Sequence, residues 1–451
     1  MAHNRLSRGS APLRRIHRHS WVALAVTWLI WVINAFDREV ILRLGPVITD
    51  TFSLSPQAWG TLVSVVMFSL AVLAVPGSLW SDRHGGGWKR ARFQVPLVIG
   101  ANLLSALSGF RLLAHNLVVF MALRVGVNLG AGWGEPVGVS NTTEWWPRER
   151  RGFALGAHHT GYPVGALLSG VAASWVLATF GDANWSYVFF FGIVLAVPVM
   201  LFWAKYSTQG RMAELHRDIA AKSMTVSVAE PAPEPGRAAG TVRRCLRDRT
   251  IMLTAGNTCM TQIVYMGINV VLPLYLSNVA GFSFAASAGL SVVFTLTGIL
   301  GQVLWPSASD YLGRRLTLMI CGVWMAVGVG AFYLATGVAT VIAIQLFFGL
   351  VANAVWPIYY AAASDSAPPE ARGTANGIIT TAMFTGGGLA PILMGWLVGL
   401  GGGWHASAGY VICFLFMAGC ALLGVVCQFF AKEPVMSAVT TETDLSVKAS
   451  A

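Results

Sequence analysis

The chain has 451 residues, 55% of them hydrophobic and only 11% charged, and carries a net charge of +11. A water-facing globule carries roughly 25% charged residues, so a soluble fold of this size is excluded. The basic excess would suit a nucleic-acid partner only if it were gathered on one patch, and it is not.

Taken in order, a basic tail over 1–20 contains Arg14, Arg15 and Arg18. Apolar runs follow at 21–43, 57–80, 94–114, 117–143, 153–178 and 185–205. Each is long enough to cross ~30 Å of hydrocarbon as a helix. Residues 206–249 are polar, contain Glu230-Pro-Ala-Pro-Glu-Pro235, and end in the basic run Arg243, Arg244, Arg247, Arg249. This reads as a flexible cytoplasmic linker with room for one short helix. Six more runs occupy 250–278, 285–307, 315–336, 339–363, 374–399 and 404–431, before a tail over 432–451. The prediction is an all-α membrane protein of twelve helices, with six-helix bundles at 21–205 and 250–431. A β-barrel would show short alternating segments instead. The first run is too long for a signal peptide, and no small-residue cleavage site follows it.

All but four of the 30 Lys and Arg residues lie in the N-terminal tail or in the connections after every second helix. This positive-inside pattern puts both termini in the cytoplasm of an inner-membrane, multi-pass protein. The basic charge is topological, with some attraction to anionic lipid, and nucleic acid is not a partner. The six cysteines are scattered, with neither metal-ligand nor disulfide spacing. No cofactor, metal or catalytic constellation is predicted.

The halves repeat. Asp82-Arg83-His84-Gly85, with Lys89-Arg90 after it, stands between helices 2 and 3; Asp310-Tyr-Leu-Gly-Arg314-Arg315 stands between helices 8 and 9. A constant offset of 221 residues relates Pro136 to Pro357, Arg151 to Arg372, Gly152 to Gly373, Gly156 to Gly377 and Gly165 to Gly386. Glycines allow close helix approach, and prolines break backbone bonding within a helix.

With these residues the whole chain resembles the major facilitator superfamily. Within it the chain is most similar to the organic anion:cation symporters. That likeness rests on Asp37-Arg38 with Gly45-Pro46, on Arg124, on Trp146-Pro-Arg-Glu-Arg150, and on Leu272-Pro-Leu-Tyr-Leu276 followed by Gly281-Phe-Ser283. Two departures stand out. Ala131 occupies the position, seven residues after Arg124, where those symporters usually carry a carboxylate, and Ser69 stands where many have a tyrosine. The resemblance implies that helices 1, 4, 7 and 10 line a central cavity.

The four basic residues outside the cytoplasmic set are Arg38, Arg43, Arg111 and Arg124. Arg43 and Arg111, near helix ends, are expected to snorkel to the outer interface. Arg38 and Arg124 come out at one level, roughly 9 Å outside the midplane at 1.5 Å per residue. Two arginines unpaired in hydrocarbon would cost several kcal/mol each. They therefore mark a hydrated cavity that holds a substrate carboxylate, or each is neutralised by Asp37 or Glu39 as scaffold. Asp37 and Glu135 are the candidate proton carriers. Arg124 and Glu135 share a helix face about 16 Å apart along the axis, too far for an ion pair. His158 either joins the proton path or packs as a hydrogen-bonded histidine. At the offset of 221, Arg124 meets Gln345 and Glu135 meets Trp356, so charge recognition belongs to the N-terminal half.

The second half offers neutral groups. In helix 7, Thr258, Gln262, Tyr265 and Asn269 form a polar stripe; in helix 10, Asn353, Trp356, Tyr359 and Tyr360 flank Pro357. The stripes either line the cavity or bond helix to helix. Asp82, Arg83, Arg151, Asp310, Arg314 and Arg315 read as a gate at the cytoplasmic side. The expectation is a functional monomer that takes up a small organic anion, such as a sugar acid, aromatic acid or dicarboxylate, together with a proton. The alternatives are an antiporter exporting amphiphilic compounds, whose glycine-rich helix-5 signature is only partly present, and a polytopic membrane enzyme.

Overall fold

The computed structural model describes residues 16–83, 85–226, 235–368 and 371–433. Its long helices are α1 (Arg18–Arg43), α2 (Pro56–Arg83), α3 (Ala91–Leu107), α4 (Leu117–Glu144), α5 (Gly161–Phe180) and α6 (Phe190–Tyr206), then α7 (Arg249–Asn278), α8 (Phe294–Leu312), α9 (Arg314–Gly330), α10 (Val338–Ala352), α11 (Arg372–Leu400) and α12 (Ser407–Phe429). Among the described residues, eleven helical stretches are long and apolar enough to cross a membrane. The segment expected at 94–114 is the exception. It forms the 17-residue α3, a break at Ser108–Phe110 and a single turn over Arg111–Ala114.

Helix pairing repeats between the halves. In the first, α1 packs on α5, α2 on α4 and α3 on α6; in the second, α7 packs on α11, α8 on α10 and α9 on α12. Across the halves α2 meets α11, α5 meets α8 and α1 meets α7, which is the pattern a two-fold pseudo-axis requires. α1 and α7 are innermost: 67% and 83% of their most apolar windows are buried, against 33–50% for the others. Outward-facing side chains such as Leu195, Leu201, Leu300 and Leu415 are exposed and apolar, as a lipid-facing surface requires.

The cross-half contacts gather at the end away from the chain termini. Gly60 of α2 and Gly395 of α11 let their backbones meet: a Cβ on either would fall under 3.0 Å from a carbonyl oxygen of the other helix. There the Ile392 amide donates to Ser64 Oγ at 3.0 Å, and Trp404 Nε1 donates to the Leu54 carbonyl at 2.7 Å. At the terminal end the picture reverses. A Cβ built on Gly152, Gly156, Gly373 or Gly377 meets no heavy atom within 4 Å. Among the described residues the halves pack closely at the end away from the termini, while these four glycines at the other end face open space.

Besides the segment at 94–114, three expected continuous helices are broken. Helix 8 divides into Phe284–Leu290 and α8 at a turn over 291–293. Helix 10 stops at Ala352 and restarts as Trp356–Ser366, with Pro357 in its first turn, where a missing amide costs nothing. Helix 5 is split into Arg151–His159 and α5 ahead of Pro163. The linker differs from expectation as well. It holds two helices, Gln209–Ala221 and Pro235–Arg247. The first is docked, burying Met212, Leu215 and Ile219 against Trp145 and Trp203; its i, i+3, i+7 stripe is the signal that was overlooked.

Candidate functional site

Adjacent residues on a helix point about 100° apart, and α1 uses this to send three consecutive charges to three places. Asp37 turns into the N-terminal bundle, where Ser105 Oγ of α3 donates to Oδ1 at 2.7 Å. Arg124 of α4 lies within electrostatic reach of Asp37. Its guanidinium donates to Ser108 Oγ at 2.9 Å and sits 4.3 Å from the ring centre of Phe189. Both Asp37 and Arg124 are buried.

Arg38 turns toward the space between the halves. Its Nη1 stands 3.4 Å from Glu135 Oε2, and its guanidinium 5.4 Å from the ring of Tyr162. The pair is not sealed, since the side chains keep 11% and 22% of their exposure. Arg38 and Arg124 therefore do not share a chamber in this conformation. Arg38 meets Glu135, which reckoning by Cα depth had placed far below it, because two long side chains span a gap that axial rise alone does not register.

Glu39 takes the third direction. Arg43 donates to it at 2.6 Å, and Tyr162 Oη at 2.6 Å. Arg43 also donates to Asn269 Oδ1 of α7. Arg43 is wholly buried, so the expectation that it snorkels to the interface is corrected. It joins α1 to α7 across the halves. The i, i+4 spacing of Glu39 and Arg43 was the readable sign of this pair. Arg111 is exposed.

In the second half, Tyr265 is buried edge-on against Phe294 and Trp356, with ring centres 6.1 and 6.0 Å away. Trp356, Tyr360 and Gln262 are partly exposed; Gln262 lies against Gly386 and Gly387 of α11. Tyr359 is turned into its own bundle, its hydroxyl 2.7 Å from Thr261 Oγ1 and donating to Asn257 Oδ1 at 3.1 Å. Asn353 is likewise buried, against Gly298. His158 is buried, stacked on Trp31 and 3.4 Å from Thr142 Oγ1.

Of the expected gate, the side chains of Asp82 and Arg83 lie outside the described residues. Arg314 pairs with Asp310 at 2.6 Å and with Asp365 at 3.4 Å. The Glu433 carboxylate accepts the Arg314 and Arg315 amides at 3.0 and 2.9 Å. These bonds stay within the C-terminal half. Arg151 opens the short helix before α5. The first half has a matching clasp: Arg90 Nε donates to Glu144 at 2.8 Å, and Glu144 also accepts the Gly87 amide at 2.7 Å. Glu144 and Asp365 stand at the same offset of 221. That match was available in the sequence and was missed. At the terminal end His17, His19 and Glu214 bring ligand-type atoms within 4.8 Å of one another. His17 Nδ1 accepts the His19 amide at 3.2 Å, and Arg18 stands 3.4 Å from Glu214, so the cluster works as a clasp holding the linker helix. The His19 hydrogen bond keeps the Glu214 carboxyl below its ordinary range.

The sequence profile of the Major Facilitator Superfamily matches residues 27–306 and 254–449. The chain belongs to the major facilitator superfamily. The hexuronate transporter of Bacillus subtilis is 24% identical over 82% of this chain and 86% of its own length. The cis,cis-muconate transport protein of Acinetobacter baylyi is 24% identical over 93% and 96%, and the gallate transporter of Pseudomonas putida 26% over 64% and 66%. In fold the chain matches a D-xylose-proton symporter with a TM-score of 0.67 at 17% identity, covering 92% of this chain and 99% of that one. It is a membrane transporter and not an enzyme.

Proposed function

We propose that the chain is a proton-coupled symporter that takes up a small organic anion by alternating access. Twelve crossings would leave both termini on one side, which the positive-inside pattern makes the cytoplasmic side of the inner membrane, and the monomer is the working unit. At about 1.5 Å per residue, the 17 residues of α3 span roughly 25 Å, close to a full crossing. With the termini inside, the closely packed end is the outer one, and the conformation described is inward-facing.

The observation that carries this reading is the partly exposed Arg38–Glu135 pair. One guanidinium cannot serve a substrate carboxylate and Glu135 at once. When Glu135 is ionised it holds Arg38; when Glu135 is protonated, Arg38 is free to grip the anion by charge-assisted bonds. Protonation and substrate binding then favour the same state, and loss of the proton to the cytoplasm lets Glu135 reclaim Arg38 and expel the anion. Asp37, held by Ser105 and neutralised by Arg124, is the second protonatable group. Trp356, Tyr265, Tyr360 and Gln262 face the uncharged part of the substrate from the other half. The relatives named as hexuronate, muconate and gallate carriers support a carboxylate-bearing cargo.

The test uses purified protein in liposomes, offered labelled galacturonate, cis,cis-muconate and gallate with an inward proton gradient. The parent should accumulate at least one of them. Arg38→Ala should lose uptake by about 10–100-fold, as expected for deleting a bond of roughly 1.5–3 kcal/mol to a charged group. Glu135→Gln should keep substrate exchange and lose gradient-driven accumulation. Accumulation by Arg38→Ala at the parental rate would refute the reading, as would export of the acids against the same gradient.

A further inference from the structure

We infer that the N-terminal bundle contains a hydration site linking Asp37 to Glu135, separate from the cleft where substrate binds. A cavity of about 30 Å³ lies between α1, α3, α4 and the short helix Arg151–His159. A buried water needs about 10–15 Å³ of such space and two to four polar partners, so the cavity holds about two waters and is too small for an organic acid. Its polar lining is Asn34, Asp37, Asn102, Glu135 and His158. Four atoms in the cavity lining have no hydrogen-bond partner among the described residues: Trp31 Nε1, Asn34 Oδ1, Asn102 Oδ1 and His158 Nε2. Asn102 and His158 keep only 3% and 1% of their exposure. An orphaned polar atom at that depth is destabilising, and four around one void call for a shared partner that both donates and accepts. Water does both.

The void exists because α4 presents almost nothing to it. Gly130, Ala131, Gly134 and Gly138 are its contribution to the lining besides Val127 and Glu135. Ala131 thus leaves room where a longer side chain would fill the site. Resting on the symport reading, the site becomes the internal proton route. A proton on the Asp37 carboxyl passes to a water oxygen while that water gives one of its own protons to Glu135 Oε, so the number of protons is conserved and no other reactant is needed. The charged and titratable groups facing the two carboxylates are Arg124 for Asp37, and Arg38, His159 and Tyr360 for Glu135. Substrate meets Arg38 on one side of Glu135, and the proton reaches Glu135 from Asp37 on the other.

The test is infrared difference spectroscopy of the full-length protein in liposomes, comparing acid and alkaline pH, with no substrate present. The parent should show a water O–H band that moves when heavy-oxygen water replaces ordinary water, alongside carboxyl bands removed by Asp37→Asn and by Glu135→Gln. Glu135→Gln should shift the Asp37 titration by about one pH unit or more, the mark of coupled sites. Ala131→Val fills the void and should abolish the water band while both carboxyl bands remain. Should Ala131→Val fail to fold, Gly134→Ala serves, since its Cβ would meet nothing nearer than Leu97 Cδ2 at 3.5 Å. Absence of an isotope-sensitive water band in the parent overturns the inference, and so does a band equally strong in the folded cavity-filling variant. Because no substrate is involved, failure of the acid panel in transport would sink the symport reading and leave the hydration site standing.

Discussion

The two halves share a backbone plan and divide the chemistry. Helix pairs match one for one, and Gly165 and Gly386 do the same work: a Cβ on either would fall under 3.0 Å from a carbonyl oxygen, that of Val32 in α1 or of Cys259 in α7. At Arg124 and Glu135 the match fails, while the acids Glu144 and Asp365 keep it. Arg124 has Gln345 as its counterpart, and that amide donates to the Leu290 carbonyl at 2.7 Å and accepts the Phe294 amide at 3.3 Å. Even the repeated proline diverges: α4 runs unbroken through Pro136, while helix 10 stops just before Pro357. Duplication kept the residues that let helices approach. The buried charges are concentrated on one side, where α1 alone contributes Asp37, Arg38, Glu39 and Arg43.

That asymmetry has a largest point of failure. Arg43 is the buried cation that ties α1 to Asn269 of α7 and neutralises Glu39. Arg43→Met leaves Glu39 buried with only a tyrosine hydroxyl, and breaking such a pair costs about 3–5 kcal/mol. Asn269→Ala, on the neutral side of the same contact, should cost about 1.5–3 kcal/mol, as for a bond to a charged group. Thermal unfolding in detergent reads both, and the double variant Glu39→Gln with Arg43→Met should recover most of the loss. Equal and small effects from Arg43→Met and Asn269→Ala would mean that the charge asymmetry carries no stability.

The shared plan is tested by glycine pairs. Gly165→Ala and Gly386→Ala should each destabilise by about 1–3 kcal/mol through overpacking. Gly156→Ala and Gly377→Ala, which point into open space, should be neutral or slightly stabilising, because alanine favours a helix by about 0.5–1 kcal/mol. The measurement is the unfolding midpoint of the four purified variants. Tolerance at Gly165 with loss at Gly386 would break the equivalence of the halves.

The sequence was most legible where one period or one offset repeats. Apolar runs located the helices, and the offset of 221 aligned the packing glycines. It was least legible in direction. Asp37 and Arg38 are adjacent, and only the packed neighbours, Ser105 for one and Tyr162 with Glu135 for the other, decide which turns into the bundle and which toward the cleft. Depth along an axis could not reveal the Arg38–Glu135 pair, because the reach of two long side chains adds to an uncertainty of several residues in register. The Gln209–Ala221 helix was hidden by composition: its polar residues suggested a free linker, while its three spaced apolar residues were enough to dock it.

The smallest effect separates two versions of one clasp. Glu144 and Asp365 occupy equivalent places, each beside an arginine of the connection between the second and third helices of its half. In the first half the pair is enclosed, with Arg90 and Glu144 at 3% and 6% exposure; in the second, Arg314 and Asp365 keep 15% and 37%. Exposed pairs contribute about 0–1 kcal/mol and are screened at about 1 M salt, where the Debye length falls to about 3 Å. Asp365→Asn should therefore lower stability by no more than about 1 kcal/mol, and that difference should vanish in concentrated salt. The enclosed pair is shielded from mobile ions, so the cost of Glu144→Gln should persist unchanged in the same salt. A salt-insensitive Asp365→Asn would show that the open end of the C-terminal half is more tightly closed around Arg314 than its geometry allows.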